Sequence, residues 1–143
     1  MRFWDSSALV ALAARDAHAD RALPLAREDP ELAVWWATRV ECVSALRRRR
    51  RRGQLDAPGE LAATERLSAL AEGWLEIQPS APVRIAAEQL LRNYVLSAGD
   101  ALQLAAALDW AGERRAGVEL VTFDGQLAQA ARFEGFTVLP AES

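Results

Sequence analysis

The chain has 143 residues, 51% of them hydrophobic, which is enough for one globular domain with a buried core and too short for two ordinary domains. All seventeen basic residues are arginine, so mechanisms that need a lysine, such as P-loop phosphate binding and Schiff-base chemistry, are excluded. Because there is one histidine and one cysteine, catalysis by a histidine pair, an internal disulfide and a cysteine zinc motif are excluded too.

The charge and the apolar segments of the chain bear on its partners and location. The formal net charge is -3, yet six arginines form one uninterrupted run at 47–52, so net charge alone would mislead about partners. No apolar stretch approaches the roughly 20 residues that span a bilayer, and the N-terminus lacks a signal-peptide pattern. We therefore expect a cytoplasmic protein that does not contact the membrane.

Apolar segments alternate with helical patterns along the whole chain. Strands are predicted at 2–4, 32–36, 74–77, 118–123 and 136–139. Helices are predicted at 6–12, 16–28, 38–52, 58–73, 81–96, 99–115 and 124–133. This alternation predicts an α/β fold of three α/β/α layers, with a mostly parallel sheet of four to five strands and about seven helices, forming a single domain over 1–143.

The spacing of apolar residues predicts which helix faces are buried. One face of the third helix is expected to carry Val40, Val43 and Leu46. The candidate core positions of the fifth helix are Ile85, Leu90, Leu91 and Val95.

Four carboxylates lie at or near predicted helix N-termini: Asp5, Glu41, Asp100 and Asp124. Each of them alone has an ordinary structural explanation, because aspartate is a favoured N-cap. In addition, Thr38-x-x-Glu41 fits the capping-box pattern and Ser97-x-x-Asp100 resembles it.

Together the four acids have a second interpretation, since a doubly wound sheet brings such strand-to-helix junctions to one edge. Carboxylates that share a cleft repel one another unless a cation lies between them. Ligation by oxygen atoms alone suits Mg²⁺ or Mn²⁺, which can polarise a phosphodiester and lower the pKa of a bound water.

Four motifs in series carry a family resemblance: Asp5-Ser6-Ser7-Ala8-Leu9, Thr38-x-x-Glu41, the block 99–107 (GDALQLAAA), and 121–130 with Asp124. Together they resemble the PIN domain of VapC-type toxin ribonucleases, nearly from end to end and in the same order. The resemblance implies an endoribonuclease that depends on Mg²⁺ or Mn²⁺ and hydrolyses RNA. It also implies a homodimer that a small antitoxin protein of the VapB type holds inactive.

The resemblance also implies roles for individual residues. Asp5, Glu41 and Asp100 match the principal metal-site acids, and Asp124 matches the acid that completes the cluster. Two hydroxyl residues match supporting positions, namely Ser6 and Thr122. Where many relatives have a histidine and a basic residue before the third acid, this chain has Tyr94 and Ser97. Substrate contacts near Asp100 are therefore left open.

The arginine run has two interpretations. On a helix that continues from Glu41, Arg48 and Arg52 fall near the angular position of that acid, where they could contact RNA phosphates or an antitoxin. The alternative is a solvated helix end whose arginines pair with acids such as Glu60 and Glu65.

Two further expectations concern single residues. His18 lies beside Asp16 and Asp20 on a predicted surface helix and is expected to face solvent. Asp109 lies half a helical circumference from Asp100, on the opposite side of the predicted helix, and is not expected to join the site.

Two functions from different classes remain at this point. The first is the metal-dependent endoribonuclease, whose products would carry a 5′-phosphate and a 3′-hydroxyl. The competing hypothesis is a PIN-like module that has lost catalysis and binds protein or RNA.

Overall fold

The computed structural model describes residues 1–141, so residues 142 and 143 of the predicted domain lie outside the described part. Its five strands are β1 (Arg2–Trp4), β2 (Leu32–Trp35), β3 (Leu75–Ile77), β4 (Glu119–Val121) and β5 (Thr137–Leu139). Its seven helices are α1 (Ser6–Ala14), α2 (Ala19–Glu28), α3 (Thr38–Arg51), α4 (Ala57–Gly73), α5 (Ala81–Asn93), α6 (Ala98–Ala111) and α7 (Gly125–Phe133). All strand pairs are parallel, in the order β3-β2-β1-β4-β5.

The sheet is covered by helices on both faces. Successive strand residues point to opposite faces, so Phe3 and Leu120 pack with α5, α6 and α7, whereas Trp4 and Val121 pack with α1 to α4. Each face has its own core of buried apolar side chains. The predicted three-layer α/β/α architecture is confirmed.

The strand order places a crevice at the carboxyl end of β1. The chain adds β2 and β3 on one side of β1 and then returns to add β4 and β5 on the other side. Where crossovers diverge in this way, the carboxyl ends of the two neighbouring strands leave a cleft in which α/β proteins bind ligands. The two strands meet closely here, since the backbone N–H of Asp5 donates to the carbonyl oxygen of Val121 at 3.1 Å.

The prediction for the buried face of α3 was wrong in its phase. Leu46 is buried, but Val40 is 70% exposed and Val43 is 49% exposed. The buried stripe follows i, i+4 spacing through Thr38, Cys42 and Leu46, which turns Val40 and Val43 outward.

A similar correction applies to α5. Leu90 is buried as predicted, whereas Ile85 and Leu91 are exposed. Val95 is also exposed and lies beyond the end of the helix at Asn93. The side chains of α5 that enter the core are Val83, Ala87 and Leu90.

Two predicted helix boundaries were also wrong, for local reasons. The helix predicted at 99–115 ends at Ala111, because Gly112 adopts a φ of 67° that a helix cannot continue. The helix predicted from residue 16 begins at Ala19, since the Asp16 carboxylate accepts a hydrogen bond from the backbone N–H of His18 and forms a turn there.

Over residues 1–141, no helix combines the length and the apolar character needed to cross a membrane.

Candidate active site

Asp5 lies at the junction between β1 and α1, where it is the N-cap of the helix. Its Oδ1 accepts hydrogen bonds from the backbone N–H of Ala8 at 3.2 Å and from the Ser7 hydroxyl at 2.7 Å. The side chain is almost completely buried. Burial raises its pKa to about 7, and the charge of Asp100 adds to this, whereas hydrogen bonds from Ser7, Ala8 and Thr122 oppose it.

Glu41 lies in the first turn of α3 and accepts two side-chain hydrogen bonds. Its Oε1 accepts from Nε2 of Gln103 at 3.0 Å, and its Oε2 accepts from the Ser6 hydroxyl at 3.3 Å. Burial raises the pKa of Glu41, the two hydrogen bonds lower it, and the charge of Asp100 raises it further. The carboxylate is therefore held from both sides, by α1 and by α6.

The predicted capping box at Thr38 was wrong. The helix is capped at Ala37 without a side-chain bond, and the backbone N–H of Glu41 donates to the carbonyl oxygen of Ala37. The amide that Thr38 would have satisfied already has a partner. The buried Thr38 hydroxyl instead accepts from Nε2 of Gln103 at 2.8 Å.

Asp100 and Asp124 lie at the starts of α6 and α7. Ser97 caps α6 by accepting from the backbone N–H of Asp100 at 3.1 Å, which is one of the two hydrogen bonds that define a capping box. Burial raises the pKa of Asp100, as does the charge of Asp124, while a hydrogen bond with Ser97 lowers it. Asp124 caps α7, with its Oδ1 accepting from the backbone N–H of Leu127 at 2.9 Å.

All four predicted acids line one open cavity of about 570 Å³, called the acid cavity below. None of the four forms an ion pair with another residue in the part of the chain that the structure describes. The cavity is also lined by residues of α1 and α3, of the segment before α2 and of the segment after β4. These further residues are Ser6, Ser7, Val10, Asp16, His18, Val40, Ser44, Ala45, Arg48, Arg49 and Phe123.

The donor set of the acid cavity fits a hard divalent cation, because its potential ligands are carboxylates and hydroxyls and it contains a single histidine. Within residues 1–141, no group of three or more His, Cys, Asp or Glu side chains is placed to hold one metal ion. Mutual repulsion keeps unneutralised carboxylates apart. Binding one ion through three of the acids therefore requires side-chain rotation.

The two predicted supporting residues lie beside the acids. Ser6 donates to Glu41 rather than to its neighbour Asp5. The hydroxyl of Thr122 accepts from the backbone N–H of Asp124 at 3.0 Å, which fixes the turn before α7. Ser6 thus contacts the Glu41 carboxylate, whereas Thr122 contacts the backbone of Asp124 and also forms a hydrogen bond with the Asp5 carboxylate.

Two contacting residues were missed by the sequence analysis. Ser7 donates to Asp5 and accepts from the backbone N–H of Phe123 at 3.0 Å, which ties α1 to the end of β4. Gln103 is fully buried and bridges α6 to Glu41. A signal for Gln103 existed, since it is the one polar residue in the apolar run 101–108, one helical turn after Asp100.

The arginine run divides between the cavity and the opposite helix face. Arg48 lines the acid cavity as expected, and its neighbour Arg49 does so too while pairing with Asp16 at 2.9 Å. Arg52 caps the C-terminus of α3 and is not among the residues that line the cavity. Of the predicted acidic partners, Glu60 pairs with Arg47 at 3.2 Å and lies 4.0 Å from Arg50.

The remaining predicted residues are placed as follows. His18 is exposed, as expected, but it also lines the acid cavity and stacks on Phe123. Asp109 is exposed and lies outside the cavity lining. Tyr94 donates to Glu134 at 2.6 Å, and this bond, burial and the charge of Glu134 raise its pKa to about 12.

Comparison with known proteins gives one family and several similar structures. The family model described as PIN domain matches residues 2–133. No curated protein matches the sequence significantly.

Three of the similar solved structures illustrate the likeness. VapC20 of Mycobacterium tuberculosis, a sarcin-ricin loop cleaving toxin, is 21% identical with a TM-score of 0.68, over 96% of this chain and 97% of that chain. PAE2754 of Pyrobaculum aerophilum is 23% identical with a TM-score of 0.64, over 96% of this chain and 88% of that chain. A toxin-antitoxin complex from Klebsiella pneumoniae contains a chain that is 19% identical with a TM-score of 0.64, over 90% of this chain and 91% of that chain. At these identities the likeness shows a shared fold.

Proposed function

Since the chain belongs to the PIN domain family, a family of nucleases, we propose that it is an endoribonuclease that requires Mg²⁺ or Mn²⁺ and acts as the toxin of a toxin-antitoxin pair. The observation that carries this proposal is the gathering of Asp5, Glu41, Asp100 and Asp124 in one cavity, where none of them forms an ion pair with a residue in 1–141. Three of these acids have a raised pKa, which is the electrostatic mark of a site that a cation would stabilise.

The proposal assigns a role to each acid. Asp5, Glu41 and Asp100 hold the ion, and Asp124 completes its surroundings. When bound, a divalent cation would offset the charge of the phosphodiester and lower the pKa of a water. Ser7 and Gln103 keep Asp5 and Glu41 oriented, and Arg48 contacts the phosphates of the RNA strand.

The proposed partners are an RNA substrate, a small antitoxin of the VapB type and a second copy of the chain, all in the cytoplasm. The RNA class is supported by the similarity to VapC20, and the antitoxin by the similarity to the Klebsiella complex. Val40 is 70% exposed and lines the acid cavity, so an antitoxin segment that packs on α3 would also cover the acids.

The test is cleavage of a labelled single-stranded RNA by the purified full chain. We expect cleavage in Mn²⁺, none in EDTA, and products with a 5′-phosphate and a 3′-hydroxyl. Asp100→Asn is expected to lower the rate by at least about 100-fold, because it removes a ligand charge where the reaction occurs. Asp109→Asn, on the exposed face of the same helix, is the matched control and should cleave normally. Undiminished cleavage in EDTA would overturn the proposal.

The competing function is a PIN-like module that binds protein or RNA without cleaving it. It is favoured by one observation, namely that no three acids among residues 1–141 are placed around a single ion position. Calorimetric titration with Mn²⁺ separates the two functions: a measurable site that Asp100→Asn weakens supports the nuclease, and no measurable site supports the module.

A further inference from the structure

His18 and Phe123 form a stacked pair of rings at the edge of the acid cavity. Their ring centroids are 4.3 Å apart and their planes are inclined by 16°. The residues come from distant parts of the chain, since His18 precedes α2 and Phe123 follows β4. Phe123 is partly buried against the core, whereas His18 is exposed. Phe123 therefore covers one face of the imidazole, and the rest of the exposed His18 side chain is accessible to solvent.

The ring pair stands between two cavities. On one side is the acid cavity, and on the other is a second cavity of about 390 Å³, called the arginine cavity below. Three residues line both cavities: His18, Phe123 and Asp124. The arginine cavity is lined in addition by Arg21 and Arg132. A strand that runs from the acid cavity into the arginine cavity therefore passes residues that border both, namely His18, Phe123 and Asp124.

The charges along this route alternate in a way that suits a nucleic acid strand. Arg48 and Arg49 line the acid cavity, and Arg21 and Arg132 line the arginine cavity on the other side of the shared ring pair. Guanidinium groups carry five N–H donors each and suit phosphate oxygens. Arg21 uses one of its nitrogens to donate to the carbonyl oxygen of Ala141, which leaves it further donors. Basic groups thus flank an aromatic surface on both sides, as in proteins that bind single strands.

We propose that the exposed ring of His18, backed by Phe123, is a stacking platform for one unpaired base of the RNA, next to the phosphodiester that is cleaved at the acids. The strand then continues into the arginine cavity, where Arg21 and Arg132 contact its backbone. The proposal rests on the proposed function and adds a base-binding position to it. Stacking accepts any base, because every base has a π face, so the platform positions the strand and does not read its sequence.

The test uses cleavage kinetics of a short single-stranded RNA of defined sequence in Mn²⁺. His18→Ala is expected to raise KM by about 5- to 20-fold and to leave kcat nearly unchanged, since the ring contributes binding but no chemistry. His18→Trp, which restores an aromatic surface, should restore KM. Phe133→Ala is the matched control, because Phe133 is also an exposed aromatic residue that stacks on another ring. Its side chain is 72% exposed, its ring centroid lies 6.3 Å from that of Tyr94, and it lines neither cavity.

A second measurement distinguishes stacking from a contact to the backbone. RNAs that each lack one base are compared with the complete RNA. With the wild-type protein, kcat/KM should be lowered for the RNA that lacks the base at one position next to the cleaved bond. On that RNA, His18→Ala should lower kcat/KM no further, because the base that would stack on His18 is already missing. If His18→Ala lowers kcat/KM by the same factor on every RNA, including each RNA that lacks a base, the stacking platform is overturned in favour of a contact to the RNA backbone.

Binding of the same RNA, followed by fluorescence anisotropy, separates this proposal from the proposed function. Cleavage with unchanged KM and affinity in His18→Ala overturns the platform alone, and is the result expected if the rings receive an antitoxin side chain instead. Binding that depends on His18, without cleavage by the wild-type protein, overturns the nuclease alone. If the wild-type protein neither binds nor cleaves the RNA, both proposals are overturned.

Discussion

Arg2, at the amino end of β1, and Asp5, just after its carboxyl end, are three residues apart, and both carry a buried charged group. The two residues differ in whether this group has an ion-pair partner. At the amino end, the Arg2 side chain is 6% exposed and donates to Glu28 at 2.8 Å and to Glu119 at 3.1 Å. At the carboxyl end, Asp5 is 1% exposed and forms no ion pair with any residue in 1–141. It instead shares a cavity with three further acids.

This difference separates a region where buried charge is paired from one where four carboxylates share a cavity without an ion pair among residues 1–141. The ion pairs of Arg2 tie β1 to α2 and β4, and each charge there has a partner. At the other end, burial raises the pKa of Asp5 and Asp100, and the charges of neighbouring acids raise these pKa values further. Ionising these carboxylates costs folding free energy that a bound cation could return. Functional sites are the usual places for such an unfavourable arrangement.

The largest expected effect comes from neutralising the carboxyl end. Asp5→Asn should lower RNA cleavage in Mn²⁺ by at least about 100-fold, because a central ligand charge is lost. The free energy of unfolding in EDTA should not fall, since the asparagine oxygen can still accept from Ala8 and Ser7 while the buried charge is gone. Cleavage rates and urea unfolding measure the two effects. Wild-type activity in Asp5→Asn would refute the role of this acid.

The second prediction concerns pH and the metal-free protein. Asp5 has a pKa of about 7 when folded and an ordinary value of 3.8. Between these pH values the folded protein keeps a proton that the unfolded chain has lost, so stability falls as pH rises from 4 to 7. One such group lowers the free energy of unfolding by up to about 1.4 kcal/mol per pH unit. The raised pKa values of Glu41 and Asp100 act in the same direction.

Denaturant unfolding in EDTA across this pH range tests the sign, with Asp5→Asn as the control that should flatten the profile. The amino end contributes the opposite sign, because the hydrogen bond from the N-terminal ammonium lowers the pKa of Asp29. The stabilisation that Asp29 contributes is therefore present above the ordinary pKa of an aspartate and is lost as the pH falls through the lowered pKa. A wild-type profile that rises more steeply than that of Asp5→Asn would contradict the prediction.

The third prediction concerns the amino end itself. Arg2→Met should lower the free energy of unfolding by about 1–3 kcal/mol, since methionine fills the space but leaves Glu119 without its partner. RNA cleavage below the unfolding temperature should be unchanged. Arg47→Met is the matched control, because the Arg47 side chain is 52% exposed in its ion pair, and its cost should stay under about 0.5 kcal/mol. Equal costs for both variants would show that burial of Arg2 adds nothing.

The smallest expected effect concerns orientation within the carboxyl end. Gln103→Leu should slow cleavage by about tenfold, because it removes the donor that holds Oε1 of Glu41. Stability should fall as well, because the buried Thr38 hydroxyl loses the donor Nε2 of Gln103. Removal of Oε1 of Gln103, which is buried without a hydrogen-bond partner among the described residues, offsets part of this loss. Gln89→Leu, on the exposed face of α5, is the control. A loss of stability with unchanged cleavage would assign Gln103 a purely structural role.

The parts of the site that local sequence signals predicted are those at element junctions. Asp5 and Asp124 follow short apolar strands, and Asp100 follows a serine that caps its helix, so their positions are visible in the residues beside them. The parts that were missed depend on contacts between distant segments. Ser7 meets Phe123 and Gln103 meets Glu41 across large separations in the chain.

The helix faces show the same limit in the core. Apolar residues on α3 fit two possible faces, because steps of three and of four both keep side chains near one side of a helix. Packing against α1 and α4 selected the face with Cys42 and Leu46 and left Val43 exposed. Only the neighbouring helices distinguish these two choices.

By itself, the sequence determined the alternation of strands and helices, the four acids at helix starts, and the absence of lysine chemistry, because each of these is a property of short segments or of composition. The tertiary structure decided that the acids share one cavity, that Arg49 joins Arg48 there, and that His18 stacks on Phe123. The physical reason is the strand order, which places the ends of β1 and β4 side by side and brings side chains from distant segments to one edge of the sheet.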